Sequence, residues 1–180
     1  NAYTGGNGND TIDGSAVTSV DNADKVMILE GGSGNDSIKS GNISGGYFQL
    51  EGGLGKDTII GGAGNDRILI GSSTYTDTGN DIITTGDGND TLVVNALGNG
   101  VISTITDFDV KKDKLDDSAL LSAGWARTVT TTSDTTGTTV TYAKDSTSFS
   151  LNFTKIKDTG FLPSVVSVNN SNFTVSSDFS

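Results

Sequence analysis

The chain has 180 residues and a formal net charge of -11 at pH 7, and it contains neither cysteine nor histidine. Disulfides, thiolate or imidazole metal sites and Ser-His-Asp catalysis are therefore excluded. The acidic charge argues against nucleic acid or an anionic membrane as a partner, since both require a basic patch. No apolar run reaches the length of a membrane-spanning helix, so we expect no membrane insertion.

The acidic residues are almost all aspartates, because Glu30 and Glu51 are the only glutamates among 22 acidic residues. Aspartate favours tight turns and brings its carboxylate close to backbone carbonyls, whereas glutamate favours helices. Carboxylate and carbonyl oxygens are the ligands that suit calcium. The composition therefore predicts an all-β, turn-rich protein that binds a hard cation.

A nine-residue pattern, Gly-Gly-x-Gly-x-Asp-x-apolar-x, recurs through the first half of the chain. A flexible glycine linker would not hold aspartate and isoleucine in a fixed register, so the repeats predict an ordered structure. The complete copies are Gly5 to Asp13, Gly31 to Lys39, Gly52 to Ile60 and Gly61 to Leu69, and partial copies cover Thr76 to Thr84 and Thr85 to Val93.

Between these copies the pattern weakens. Only Asp24 and Val26 keep it between residues 14 and 30, and no aspartate occurs between residues 40 and 51, so irregular coils are expected there. Residues 70–75 are predicted to be a loop insertion. A last faint copy, residues 94–102, places Asn99 in the aspartate position and ends the array.

Strand-like alternation follows residue 103 and is interrupted by one predicted helical turn at residues 118–124. Trp125, the single tryptophan, is expected to join the core. We therefore predict two domains, a repeat domain over residues 1–102 and a β-rich capping and secretion region over residues 103–180. The alternating segments are residues 128–132, 138–142, 149–153, 165–168 and 173–175.

Nine residues divide into a six-residue turn and a three-residue strand in which only the eighth position points inward. Two repeats then form one coil, and no single repeat can bury its apolar residue alone, so the coils must stack. The predicted core consists of the eighth positions, Ile12, Ile38, Ile59, Ile68, Ile83 and Leu92.

The turn needs glycine because its backbone must visit positive φ and expose carbonyl oxygens to a central point. The aspartate carboxylate completes this oxygen cage. Coils that stack about 4.8 Å apart bring aspartates of successive turns opposite one another, where they repel unless a cation lies between them. The spacing therefore predicts calcium sites between stacked turns.

Residues 5 to 93 resemble the RTX (repeats-in-toxin) family, whose nonapeptide repeats fold as a parallel β-roll with calcium between adjacent turns. The resemblance implies sites that join Asp10 with Asp36, Asp36 with Asp57, Asp57 with Asp81, and Asp66 with Asp90. The implied ligands are the turn glycines and aspartates: Gly5, Gly6, Gly8, Asp10, Gly31, Gly32, Gly34, Asp36, Gly52, Gly53, Gly55, Asp57, Gly61, Gly62, Gly64, Asp66, Gly79, Asp81, Gly88 and Asp90.

The segment from Ile105 to Leu121 resembles the region that follows RTX repeats in secreted proteases and epimerase modules, with Asp117 in place of the usual leucine. Its other aspartates are secondary calcium candidates or a solvated acidic turn. Residues 148–153 are similar to the C-terminal strands of these proteins, and residues 176–180 are similar to a type I secretion signal. The secondary candidates are Asp107, Asp109, Asp113 and Asp116.

Two functions fit these features, and neither is catalytic. The first is a calcium-dependent folding, structural and secretion module of a large extracellular bacterial surface protein, of the adhesin or S-layer type, that folds only when calcium binds. The second is a C-terminal accessory module of a secreted protease, lipase or alginate epimerase. The expected partners are calcium, the type I secretion machinery and a cell-surface or polysaccharide ligand, in a secreted or surface location.

Overall fold

A computed structural model describes residues 1–131, 137–156, 164–168 and 172–176. Up to residue 116 the chain passes alternately through two parallel sheets, so each coil contributes one strand to each sheet. The first sheet contains β1 (Ala2–Asn7), β3 (Val26–Ser33), β5 (Tyr47–Leu54), β7 (Arg67–Ile70), β9 (Thr91–Val94) and β11 (Lys114–Asp116). The second begins with β2 (Thr11–Asp13), β4 (Ser37–Lys39), β6 (Thr58–Ile60), β8 (Ile82–Thr84) and β10 (Ile102–Ile105).

This arrangement is a parallel β-solenoid of about five turns and confirms the predicted all-β roll. Strand pairing follows the repeat register, with Ile38 opposite Ile12 on one side and Ile59 on the other. Five of the six eighth positions are at most 1 % exposed, and Ile12 is half-buried against the same core. The eighth-position side chains therefore form the column of apolar residues that holds the coils together.

The segments without a clear repeat are more regular than expected. Irregular coils were predicted between the repeats, and this was wrong for β3 and β5, which are eight residues long and pair along most of their length. Met27 lies opposite Phe48, and Leu29 lies opposite Leu50, all four at most 5 % exposed. The inward side chains of β3 and β5 add a second row of apolar residues to the core.

The later strands extend the second sheet and do not form a separate layer. β14 (Thr147–Phe153) pairs in parallel with β10, and the sheet continues through β13 (Thr138–Lys144), β12 (Ala126–Thr131), β15 (Ser164–Val168) and β16 (Asn172–Ser176). Because β10 starts at Ile102 and pairs with both β8 and β14, the predicted division after residue 102 falls at a strand shared by both parts. The helix α1 (Ser118–Ser122) precedes β12.

The core of this capping region is aromatic and contains one buried ion pair. Trp125 is 9 % exposed, and its ring centroid lies 5.3 Å from that of Phe149. Asp117 forms an ion pair with Arg127 and accepts a 2.8 Å hydrogen bond from the Tyr142 hydroxyl. Burial, and then the charge of Asp117, raise the pKa of Tyr142. The buried carboxylate is therefore satisfied by two partners.

The described residues contain no helix that is both long and apolar enough to cross a membrane. The predicted strands at residues 165–168 and 173–175 correspond to β15 and β16. The proposed secretion signal at residues 176–180 lies outside the described residues except for its first position.

Candidate metal centre

The turns that join the two sheets stack into two columns, one along each edge of the roll. On the first edge, each aspartate accepts a hydrogen bond from the backbone N–H of its counterpart one coil earlier. The distances are 2.7 Å from Asp10 N to Asp36 Oδ1, 2.8 Å from Asp36 N to Asp57 Oδ1 and 2.9 Å from Asp57 N to Asp81 Oδ1. The three predicted pairs on this edge are therefore direct neighbours.

The second edge repeats this geometry over fewer coils. Asp66 N lies 2.7 Å from Asp90 Oδ1, and Asp90 N lies 3.1 Å from Asp113 Oδ1. Ahead of Asp66 the column has no aspartate, and Ser40 donates a 2.9 Å hydrogen bond to Asp66 Oδ2 instead. Asp66 and Asp90 are thus neighbours in adjacent coils, and Asp113 continues the column.

The second carboxylate oxygen of most of these aspartates is buried and lacks a hydrogen-bond partner among the described residues. Buried polar atoms in proteins are nearly always paired, because removing them from water without compensation is costly. An oxygen that is buried and unpaired in several successive coils is suited to binding a cation. The atoms are Asp10 Oδ2, Asp36 Oδ2, Asp57 Oδ2, Asp66 Oδ1, Asp77 Oδ2 and Asp90 Oδ2.

On the first edge, the first glycine of three turns keeps open the space beside the unpaired oxygen, namely Gly5, Gly31 and Gly52. A Cβ atom on Gly31 would lie 2.4 Å from Asp36 Oδ2 and 2.3 Å from the carbonyl oxygen of Gly52 in the next coil. A Cβ atom on Gly5 would lie 2.6 Å from both Asp10 Oδ2 and the carbonyl oxygen of Gly31. These two turns therefore each place a carboxylate oxygen and a carbonyl oxygen of the following coil around one small cradle.

The remaining predicted glycines let the coils approach closely. A Cβ atom on Gly53 would lie 2.0 Å from the carbonyl oxygen of Gly32, and the same holds for Gly55 and Gly34. The structure places the first glycines beside the carboxylate of their own turn and most of the others in this column of stacked backbone. The first group is Gly5, Gly31, Gly52 and Gly61, the second is Gly32, Gly34, Gly53, Gly55, Gly62, Gly64, Gly79 and Gly88, and a Cβ atom on Gly6 or Gly8 in the first coil would face open space.

Electrostatics in the columns also favours a bound cation. Burial raises the pKa of Asp57 and Asp66 to about 6, and it raises the pKa of Asp81 and Asp90 to about 7. Neighbouring carboxylates raise the pKa of Asp57, Asp81 and Asp90 further. These four carboxylates therefore ionise less readily than an ordinary aspartate, and a positive ion beside them would favour the ionised form.

The oxygen set fits calcium. Within the described residues no three acidic side chains converge on one point. A calcium ion in a cradle would thus complete its roughly six to eight oxygen ligands with backbone carbonyls and water. The turns supply such carbonyls from two stacked coils, which agrees with the chemistry that calcium requires.

A profile of the RTX calcium-binding nonapeptide repeat matches the chain in four copies, at residues 3–16, 28–42, 49–72 and 75–96. The chain carries RTX repeats. No curated protein and no solved structure matches it. RTX nonapeptide repeats bind calcium, so this β-roll is a structural calcium-binding unit and not a catalytic one.

The sequence did not predict that Asp77 and Ser103 belong to the RTX columns. Asp77 occupies the place of the second glycine in the turn at residues 76–81 and is 1 % exposed. Ser103 follows Asp81 on the first edge, and its Oγ accepts a 3.0 Å hydrogen bond from Asp81 N. The assignment of Asn99 to this place was wrong, because its side chain accepts a hydrogen bond from Ser148 N. The sequence does contain a signal for Asp77, because an aspartate stands there at a position where the complete repeats have glycine.

The secondary candidates after the RTX repeats fall into two groups. Asp113 and Asp107 join the second edge, where Asp107 accepts hydrogen bonds from the backbone of the turn that begins at Thr85. The side chains of Asp109 and Asp116 accept hydrogen bonds from residues two positions later along the chain, and Asp109 N donates a 2.8 Å hydrogen bond to Asp113 Oδ2. The second edge therefore extends one coil beyond the recognisable repeats.

Proposed function

We propose that this chain is a calcium-dependent folding, structural and secretion module of a large extracellular bacterial surface protein, of the adhesin or S-layer type. Calcium ions lie between stacked turns on both edges of the roll. Each ion takes the unpaired aspartate oxygen of one turn together with backbone carbonyl oxygens of that turn and the next. In this proposal the chain is exported by type I secretion and binds a cell-surface or polysaccharide ligand.

The unpaired buried oxygens carry this proposal. They recur in successive coils, and on the first edge those of Asp10, Asp36 and Asp57 each lie beside a glycine whose side chain would fill the cradle. A single unpaired oxygen could be a local fault of packing, whereas a repeated one is a property of the repeat. A ladder of identical oxygen sites supports a ligand that is also repeated, and a small divalent cation meets that requirement.

Binding would account for a large part of the stability of the fold. At tenfold excess over its dissociation constant, a ligand that binds only the folded state stabilises it by about 1.4 kcal/mol. Four or five such sites contribute about 6 kcal/mol, which is comparable with the total stability of a small domain. Extracellular modules bind calcium with dissociation constants of about 0.1 to 1 mM, so a chain of this kind would stay unfolded in the cytosol and fold outside.

The amino-acid composition favours the surface role over an accessory role in a secreted enzyme. The chain has 11 lysine and arginine residues against 22 acidic ones. A module that holds an acidic polysaccharide for an enzyme would require a basic groove. An acidic roll is better suited to a repeated structural element whose charge is balanced by calcium.

Far-UV circular dichroism in EGTA, followed by a calcium titration with magnesium as the control, tests the proposal. We expect a coil spectrum in EGTA and a cooperative conversion to a β spectrum with calcium alone. Magnesium should fail, because it requires a smaller octahedral site and gives up its water slowly. A β spectrum in EGTA that calcium does not change would contradict the proposal.

A further inference from the structure

One turn of the roll departs from its neighbours. The turn at residues 76–81 has Thr76 and Asp77 where the turn one coil earlier has Gly52 and Gly53. Gly53 contributes only backbone, and a Cβ atom there would collide with the preceding carbonyl oxygen. At Asp77 the same place in the column holds a carboxylate.

Asp77 is fixed from both sides. Its Oδ1 accepts hydrogen bonds from Gly55 N at 3.1 Å and Gly79 N at 3.0 Å. Its carbonyl oxygen accepts a 2.8 Å bond from Gly98 N, and its backbone bridges to Leu97. The preceding coil, its own turn and the following coil therefore position this side chain, which is 1 % exposed.

The other oxygen, Asp77 Oδ2, is buried and has no hydrogen-bond partner among the described residues. Asp57 Oδ2, in the preceding coil, is also buried and also lacks a hydrogen-bond partner among the described residues. The charge of Asp77 is also among the influences that raise the pKa of Asp57 and of Asp81, so the three carboxylates lie within electrostatic reach of one another. This part of the first edge holds more uncompensated negative charge than a regular turn provides.

We propose that Asp77 is an additional calcium ligand and that it makes the site between residues 52–57 and 76–81 the tightest on the first edge. This inference rests on the proposed function, since it requires calcium between stacked turns. Affinity of calcium sites rises with the number of charged ligands and with rigidity. Asp77 adds a carboxylate where the other turns offer backbone alone, and its three-coil support makes that ligand rigid.

A purely structural role is the competing explanation, in which Asp77 only accepts the two N–H bonds at Oδ1. Asparagine separates the two roles, because its amide oxygen still accepts both bonds while the charge is lost. Asp77→Gly provides a second variant, since it restores the residue that the repeat normally carries and is expected to fold. Asp87→Asn is the matched control, because Asp87 is an exposed aspartate in the turn at residues 85–90.

The measurement is the release of calcium from the full chain after mixing with a fluorescent chelator, with folding at saturating calcium checked by circular dichroism. We expect Asp77→Asn and Asp77→Gly to lose the slowest release phase, with that rate rising about tenfold, and Asp87→Asn to change it less than twofold. Unchanged release in both Asp77 variants, with normal calcium-dependent folding, would overturn the inference alone. If the unaltered chain binds no calcium, the proposed function itself fails.

Discussion

At the scale of single residues, the proposed calcium sites depend on glycines, because these residues have no Cβ atom. Gly5 and Gly31 leave open the space that the aspartate oxygen of their turn and the next coil's carbonyl share. Replacement by any other residue would fill this space, so glycine here is a requirement of the site as well as of the backbone. The cradle at Gly31 shows this most clearly, because both oxygens lie within 2.4 Å of the missing Cβ position.

Gly31→Ala should therefore remove one calcium site and strain the coil. We expect a loss of about 1–3 kcal/mol from overpacking, in addition to the stabilisation by the ion that is lost. Calorimetric calcium titration and thermal unfolding at saturating calcium would measure both effects. Ser33→Ala, in the same turn but away from the cradle, is the control. Equal stoichiometry in Gly31→Ala and the unaltered chain would show that no ion occupies this cradle.

At the scale of elements, two strands of the roll extend to the N-terminal side of the repeats that they enter. β3 and β5 make the longest parallel pairing in the roll and bury Met27, Leu29, Phe48 and Leu50. The nine-residue pattern supplies one inward residue per strand, which is little apolar surface for each coil. These two longer strands supply additional core on the first sheet.

Leu50→Ala should destabilise the calcium-bound protein by about 2–5 kcal/mol, because Leu50 is fully buried between Leu29 and Ile68. Denaturant unfolding at saturating calcium would measure the loss. Gln49→Ala, at the neighbouring outward position, should change stability by less than about 0.5 kcal/mol. If both variants lose the same stability, β5 does not support the core as described.

Much of this architecture could be predicted from the repeats, because glycine, aspartate and isoleucine at fixed spacing determine turn, ligand and core together. The exceptions have physical reasons. β3 and β5 alternate with a period of two, which the search for a period of nine does not detect. Ser103 and Asp77 follow an insertion of irregular length, so their place in the column depends on strand pairing. Asp117 could be noticed in the sequence as an unusual residue. Its ion pair with Arg127 could not be predicted, because that contact depends on the tertiary fold.

At the scale of the whole molecule, the two columns make stability depend on pH as well as on calcium. Burial gives Asp57, Asp66, Asp81 and Asp90 pKa values of about 6 to 7 in the metal-free roll. The ordinary value of about 4 applies in the unfolded chain. These raised values stabilise the metal-free fold fully only below about pH 4, and that stabilisation is lost as pH rises through 6 to 7.

Calcium and protons therefore compete for the same oxygens. We expect the calcium concentration at the folding midpoint to increase as pH is lowered from 8 to 5.5, because protonated aspartates bind calcium poorly. Calcium titrations followed by circular dichroism at several pH values would measure this shift. Asp13→Asn, which removes an exposed aspartate outside the columns, should leave the pH dependence unchanged. A midpoint that is constant over this range would contradict the competition.

The strand β10 has a mechanical consequence, because it joins the roll to the cap through β8 on one side and β14 on the other. Hydrogen bonds between parallel strands run along the axis of the roll. Tension along that axis is then borne by the coil interfaces in series, and the weakest interface sets the force at which the molecule yields. Ions between turns bear load alongside these hydrogen bonds, so the calcium concentration of the surroundings would set the stiffness of the chain.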